Sequence, residues 1–223
     1  LQKYGVNFSS ENHFGEKFIF DTKFNFNQTF TPNIPNYDYN PSGHMYTILI
    51  WMGGDVNGKD LKNHMWVPGQ EGRQQANWNY AWYNNPWFGA EYYKNQNRTN
   101  IINAQTGLEY KATQDFSVKG KISIVENHNK QEIFSPYSYF NYSAPRSGGY
   151  IVNDTKTWNL NYDVLATYKK KISENFDFTI NAGGSAFYYK NNKNERSTDG
   201  LKVPELYSFD NSIGALKNYT YLK

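Results

Sequence analysis

Long strict alternation is the feature that most limits what this chain can fold into. From Phe176 to Tyr189, Phe176, Phe178, Ile180, Ala182, Gly184, Ala186 and Tyr188 alternate with Asp177, Thr179, Asn181, Gly183 and Ser185. A period of two places successive side chains on opposite faces of a β-strand, so one face is apolar and the other polar. The same period recurs. Trp158, Leu160, Tyr162, Val164, Ala166 and Tyr168 alternate with Asn159, Asn161, Asp163 and Thr167, with Leu165 as the exception. Ile102 to Ala112, Phe116 to Ile124 and Phe18 to Phe30 follow the same rule, and Tyr4, Val6 and Phe8 form a shorter instance.

Six strands are therefore predicted, at about 4–9, 17–31, 99–112, 116–127, 155–171 and 176–189. Most run to about 11–14 residues, against the usual five or six of globular sheets. The polar face carries Asp21, Lys23, Glu109, Lys111, Lys119, Lys121 and Asp163, and the apolar face is rich in Phe, Tyr and Trp near its ends. A soluble sandwich also alternates. Strands of this length with aromatic ends instead fit a transmembrane barrel, in which strands of about 9–11 residues cross apolar-outward and polar-inward between aromatic girdles.

The connections point the same way. Short turns are predicted at 10–16, 113–115 and 172–175, and long loops at about 32–97, 128–153 and 190–223. Bacterial outer-membrane barrels have that asymmetry, with short periplasmic turns and long extracellular loops. Six strands cannot close a membrane barrel, and an open sheet in lipid leaves backbone groups unsatisfied. The expected fold is thus all-β, an antiparallel transmembrane β-barrel segment that is one piece of a larger barrel.

Composition agrees. The 223 residues are 18% aromatic, with 20 Tyr, 15 Phe and 6 Trp. Thirty Asn add to a strand-and-loop composition, and disordered chains are poor in aromatics. Mean hydropathy is −0.84 and no long apolar run occurs, which excludes a transmembrane helix. The net charge of +3 is spread among both signs, so no basic stripe indicates a nucleic-acid partner. Cysteine is absent, excluding disulfides and thiolate metal sites. The chain starts at Leu1 without a signal peptide, consistent with a processed chain or an interior fragment.

Motifs for catalysis are missing, so no enzyme, catalytic residue or cofactor is expected. His13, His44, His64 and His128 lie far apart. Asp55 to Asp60 faintly resembles a calcium loop, but Lys59 and the lack of a distal Glu make a polar turn the better reading, so no metal is assigned. Asn7, Asn27, Asn97, Asn141, Asn153 and Asn218 open Asn-x-Ser/Thr triplets. Asn7 and Asn27 sit inside predicted strands, so these read as chance matches in an Asn-rich chain. The 32–97 segment is too long for a structureless connection. It holds Trp51, Trp66, Trp78, Trp82 and Trp87, and Met45 to Met52 can form a short helix or strand. Trp66, Trp78, Trp82 and Trp87 are candidates for contacting a partner or substrate, and packing within the loops is the alternative. Lys169 to Lys171 lies beside a short turn, at the level of lipid headgroups.

Asn85-Pro86-Trp87-Phe88, Arg98 opening a strand, the Tyr110-turn-Phe116-to-Lys121 hairpin, and Gly200-Leu201-Lys202-Val203-Pro204-Glu205-Leu206-Tyr207-Ser208 form a set of motifs. Together they resemble the SusC/RagA family of TonB-dependent outer-membrane transporters of Bacteroidetes. The family has Asn where this chain has Glu205, and the 32–97 loop departs from it in sequence. The resemblance implies a plugged barrel of roughly 22 strands that imports glycans or peptides across the bacterial outer membrane. It also implies a SusD-like surface lipoprotein at the mouth, the TonB-ExbB-ExbD energy system and surrounding lipid. A second reading is a SusC-like barrel serving as a structural or assembly subunit with other outer-membrane proteins. A third is a soluble carbohydrate-binding β-domain.

Overall fold

The computed structural model describes residues 1–35, 43–79, 82–142, 146–174 and 176–223. Seven strands form one antiparallel sheet in chain order. They are β1 (Gln2–Phe14), β2 (Phe18–Thr31), β3 (Lys94–Lys111), β4 (Phe116–Ser135), β5 (Gly149–Ser173), β6 (Phe176–Ser197) and β7 (Lys217–Leu222). The sheet is open. β1 is one edge, and β7 covers only Asn192–Ser197 at the top of β6. No helix among the described residues is long and apolar enough to cross a membrane.

Three features differ from the sequence-based expectation. There are seven strands rather than six, because Lys217–Leu222 pairs inside the stretch read as the 190–223 loop. β1 runs to Phe14, so its turn to β2 shrinks to 15–17. The upper ends of β3 to β6 extend well past the alternating segments: β4 reaches Ser135 and β5 begins at Gly149, which reduces the 128–153 loop to 136–148. β5 alone is 25 residues, roughly 80 Å of extended chain, far more than a bilayer core requires.

The register preserves parity throughout. Glu11, Asp21, Gly107, Lys121, Asp163 and Ser185 share one row across β1 to β6, and Phe8, Phe24, Ala104, Ile124, Leu160 and Tyr188 share another. Among the described residues the single shift lies between Lys171 and Ser173, at the β5–β6 turn. All even-numbered strand residues above that turn therefore share one face, and all odd-numbered ones the other.

The even face changes character along its height. From the Phe116–Tyr168–Ile180 row to the Ile124–Leu160–Tyr188 row it is apolar, with Ile122, Tyr162, Val164 and Ile180 exposed. Above that band come Glu126, His128, Lys130 and Glu132 on β4, facing Trp158, Lys156, Asp154 and Val152 on β5.

The compact core lies above the sheet, where the long loops pack together. Phe88, Tyr93 and Tyr139 are buried, with Met65, Trp66, Tyr92 and Ile133 against them. The β2–β3 connection carries the one-turn helix α1 (His44–Tyr46), continued by a π-helical turn Thr47–Trp51, then α2 (Gly58–Asn63) and α3 (Pro86–Tyr92). Met45 to Met52 is thus mostly helical.

Candidate functional site

The seven polar strand residues expected to line an interior, Asp21, Lys23, Glu109, Lys111, Lys119, Lys121 and Asp163, all occupy odd positions and so one face. Four of them form two ion pairs. Lys119 Nζ lies 2.8 Å from Asp21 Oδ2, and Lys121 Nζ lies 3.2 Å from Asp163 Oδ2. Asp21 is nearly buried because it folds over Gly107, where a Cβ would sit 2.6 Å from Asp21 Oδ2. Lys23 is exposed and borders a concavity of about 520 Å³ with Asn7, Asn25, Asn103, Gln105 and Ser123. Glu109 stands opposite Lys119 in register, and together with Lys111 it lines a second hollow beside Thr167 and Lys169 at the short-turn end.

This face is a wall of amides and paired charges. Asn7, Asn25 and Asn27 form a side-chain ladder, and higher up Gln131 donates to Asn95 (2.9 Å) and Asn153 donates to Gln131 (3.1 Å). Phe187 and Tyr189 interrupt it with stacked rings 6.5 Å apart. Sequence reasoning missed that pair, because Phe187 breaks the polar alternation and nothing in a one-dimensional pattern marks such a break as functional. It also missed Gly107, whose role is visible only from its cross-strand neighbour.

The loop tryptophans divide. Trp66 packs edge-on against Phe88 and Tyr92, and Trp78 stacks on Tyr83 at 5.4 Å; both are half-buried. Trp82 contacts Phe140 and Tyr142 of the β4–β5 loop yet stays 49% exposed. Trp87 donates from Nε1 to the Gly58 carbonyl at 2.8 Å, lies under Lys62 and is also exposed. The larger exposed apolar surface is Met45, Ile48, Leu49, Ile50 and Trp51.

Local chemistry explains how these loops hold their shape. Asn85 caps α3, accepting from Trp87 N at 3.0 Å, and Pro86 fits the first helical position because its missing N–H needs no partner there. The Asn85 amide donates to the carbonyls of Leu61 (2.8 Å) and Ala76 (3.2 Å). Gln75 is buried; its amide nitrogen donates to Asn84 Oδ1 (2.6 Å) and the Ser138 carbonyl (2.8 Å), and its oxygen accepts from Asn85 N (2.9 Å). Asn84 in turn bridges both backbone groups of Phe140 at 2.7 Å. This amide lattice ties the β2–β3 and β4–β5 loops together. Asn57, in the stretch weighed as a calcium loop, accepts from Lys59 N as the cap of α2.

The Gly200–Ser208 motif forms a second clamp. Leu201 is buried, and Phe134 and Tyr150 meet the rings of Tyr207 and Phe209 at 5.2 and 5.0 Å. Glu205 occupies φ +62°, a region Asn adopts more readily than Glu. Its carboxylate accepts from Tyr137 N at 3.0 Å and from the Tyr207 hydroxyl. Burial, reinforced by that carboxylate, raises the Tyr207 pKa far above the usual phenol value. Burial also raises Tyr150, whose hydroxyl donates to Glu132 Oε1 at 2.6 Å.

No protein-family model matches the chain, and none of the curated proteins does. Solved structures do. The RagAB peptide transporter superposes with a TM-score of 0.69 at 12% identity, over 99% of this chain and 24% of that one. The RagAB peptide importer superposes in its open-open state at 0.68 and 13% identity, and in its closed-closed state at 0.66 and 14%, with the same coverage. This chain spans about a quarter of the length of the structures it matches. Its fold is that of one section of a β-barrel transporter chain: seven antiparallel strands in an open sheet, topped by packed loops.

Proposed function

We propose that this chain is part of the wall of a SusC-like, TonB-dependent barrel that imports a glycan or peptide nutrient across the bacterial outer membrane. The observation that carries this is the constant parity of the sheet, with an exposed apolar band on the even face and paired charges and amides on the odd face. The even face meets lipid, and the odd face lines the lumen. A one-residue slip would move Lys121 into hydrocarbon at a cost of about 2–4 kcal/mol. The long-loop end is extracellular, where a SusD-like lipoprotein seats on the loop layer, and TonB-ExbB-ExbD supplies energy from the other side. This chain does no catalysis of its own. The likeness to a peptide transporter favours the peptide half of the substrate class.

Spin labels at Ile122 and Lys121 in the full-length protein test the orientation. Ile122 should report lipid and Lys121 water; the reverse defeats the assignment. Extraction as a monomer in plain buffer would defeat it too, and would restore the soluble carbohydrate-binding reading. Nutrient uptake that is lost without TonB supports import. An assembled barrel whose uptake is indifferent to TonB would instead favour the structural or assembly role.

A further inference from the structure

Two neighbouring rows of the odd face hold a cation at one end and an aromatic pair at the other. One row joins Lys23, Gln105, Ser123, Asn161 and Phe187 across β2 to β6. The next joins Asn25, Asn103, Val125, Asn159 and Tyr189. Neither row contains a carboxylate. Glu11, Asp21 and Asp163 lie one row below and are engaged by His13, Lys119 and Lys121. Lys23 is exposed and, among the described residues, has no carboxylate within 4.0 Å. At the far end Phe187 and Tyr189 are 66% and 39% exposed, their rings 14° from parallel. Between the two ends, Asn103, Ser123, Asn159 and Asn161 make no side-chain hydrogen bond among the described residues.

Spacing and chemistry together define what fits. The Lys23 end opens into the concavity of about 520 Å³, a usual size for a small-ligand site. Four inter-strand steps separate Lys23 from Phe187, roughly 19 Å around the wall at about 4.8 Å each. An extended polypeptide covers that distance in about five or six residues. Asn and Gln side chains carry the same donor and acceptor as a peptide group, so a row of them can hold a backbone of any sequence. Selectivity then comes from the two ends. An unpaired ammonium favours a carboxylate, and exposed rings favour an aromatic side chain.

We infer that these two rows form a subsite for a peptide lying across the strands, its C-terminal carboxylate at Lys23 and an aromatic side chain about five residues earlier on Phe187 and Tyr189. Asn103, Asn159 and Asn161 hold the backbone between. The inference deepens the proposed function and rests on its inward assignment of the odd face.

Full-length protein in detergent would be titrated calorimetrically with N-acetylated Phe-Ser-Gly-Ser-Gly-Ser and with three relatives: its C-terminal amide, a form with Ser in place of Phe, and a form with Phe moved next to the C-terminus. Removing or moving the aromatic ring should weaken binding roughly tenfold. Amidation should weaken it roughly fivefold, as expected for an exposed ion pair. Phe187→Ser combined with Tyr189→Ser should abolish the preference for the ring and keep that for the carboxylate. Lys23→Gln should do the opposite. Failure of the parent peptide to bind, or equal affinity for all four peptides, overturns the inference. Variants that weaken all four peptides alike overturn it too, since the rings would then pack against other parts of the barrel. So does tighter binding of maltohexaose that depends on Phe187 and Tyr189, which would assign the rows to a saccharide. The spin labels separate the two levels of failure. If Lys121 is in water but binding ignores ring and carboxylate, only the subsite is wrong; if Lys121 is in lipid, the barrel orientation is wrong.

Discussion

Gly107→Ala is a sharp test of how the polar face is built. A Cβ at position 107 would lie 2.6 Å from Asp21 Oδ2, 3.1 Å from its Cγ and 3.2 Å from Oδ1. Restoring an ordinary 3.4 Å contact requires the carboxylate to retreat by roughly 0.8 Å. Asp21 cannot do so freely, because Lys119 Nζ holds the same oxygen at 2.8 Å. A close lysine–carboxylate pair contributes at most about 3 kcal/mol. The Lys119 side chain is 39% exposed, so water screens part of that, and a loss of about 1–2 kcal/mol is expected. Urea titration of the full-length protein refolded into vesicles would measure it. The double variant Gly107→Ala with Asp21→Ser isolates the cause, since Ser removes the atoms that clash. In the Asp21→Ser background, Gly107→Ala should cost less than about 0.5 kcal/mol, giving a coupling of about 1 kcal/mol or more. If Gly107→Ala is equally harmful in both backgrounds, the contact with Asp21 is not the reason for the glycine.

Four further outcomes are expected. Phe88→Ala, at a site only 1% exposed, should cost the loop layer about 3–5 kcal/mol, seen as faster proteolysis of the β2–β3 connection with the sheet intact. Asn85→Ala removes a helix cap and two amide bonds, so protection of amide hydrogens in α3 should drop sharply while those of β3 to β5 stay protected. If a surface lipoprotein seats on the loop layer as proposed, Trp82→Ala should weaken its association more than Trp78→Ala does, because Trp82 is half-exposed while Trp78 is stacked within the loop; a pull-down that falls equally would refute the distinction. Alkaline pH should loosen the clamp: Tyr207 and Tyr150 have raised pKa values, so their stabilisation is complete below about pH 10 and declines above it as only the unfolded phenols ionise. Phe substitutions at both positions should flatten that decline in a thermal scan.

The lower sheet was legible because a strand with one apolar and one polar face demands a period of two, and residues such as Ile122, Ile124, Leu160 and Tyr162 obey it. The upper sheet was not. Above the apolar band, even positions Glu126, His128 and Lys130 are as polar as odd positions Asn127, Asn129 and Gln131. With both faces polar, the period vanishes although the hydrogen-bond ladder continues, and the strand reads as a loop. β7 escaped for a similar reason: six residues carry too few alternations to stand out. Of the candidate site, the common face of the seven charged residues was readable, but their pairing was not, since Asp21 reaches Lys119 across the intervening strand β3. The loop layer was the least legible part. Its organising residues, Gln75, Asn84 and Asn85, are polar groups that become buried only because they satisfy one another, which no hydropathy pattern can reveal.

Because every strand pairs only with its neighbours in the chain, the sheet contains no crossover. Each hairpin can therefore be laid onto the edge left by the one before, in the order of synthesis, with no loop threaded through another. The half-covered edge of β6, where β7 meets only Asn192–Ser197, leaves a docking ledge of free backbone donors and acceptors below that point within this chain. A nick in any loop between strands should cut the covalent path without cutting the sheet, so two halves co-expressed from separate messages should zip together along that ladder.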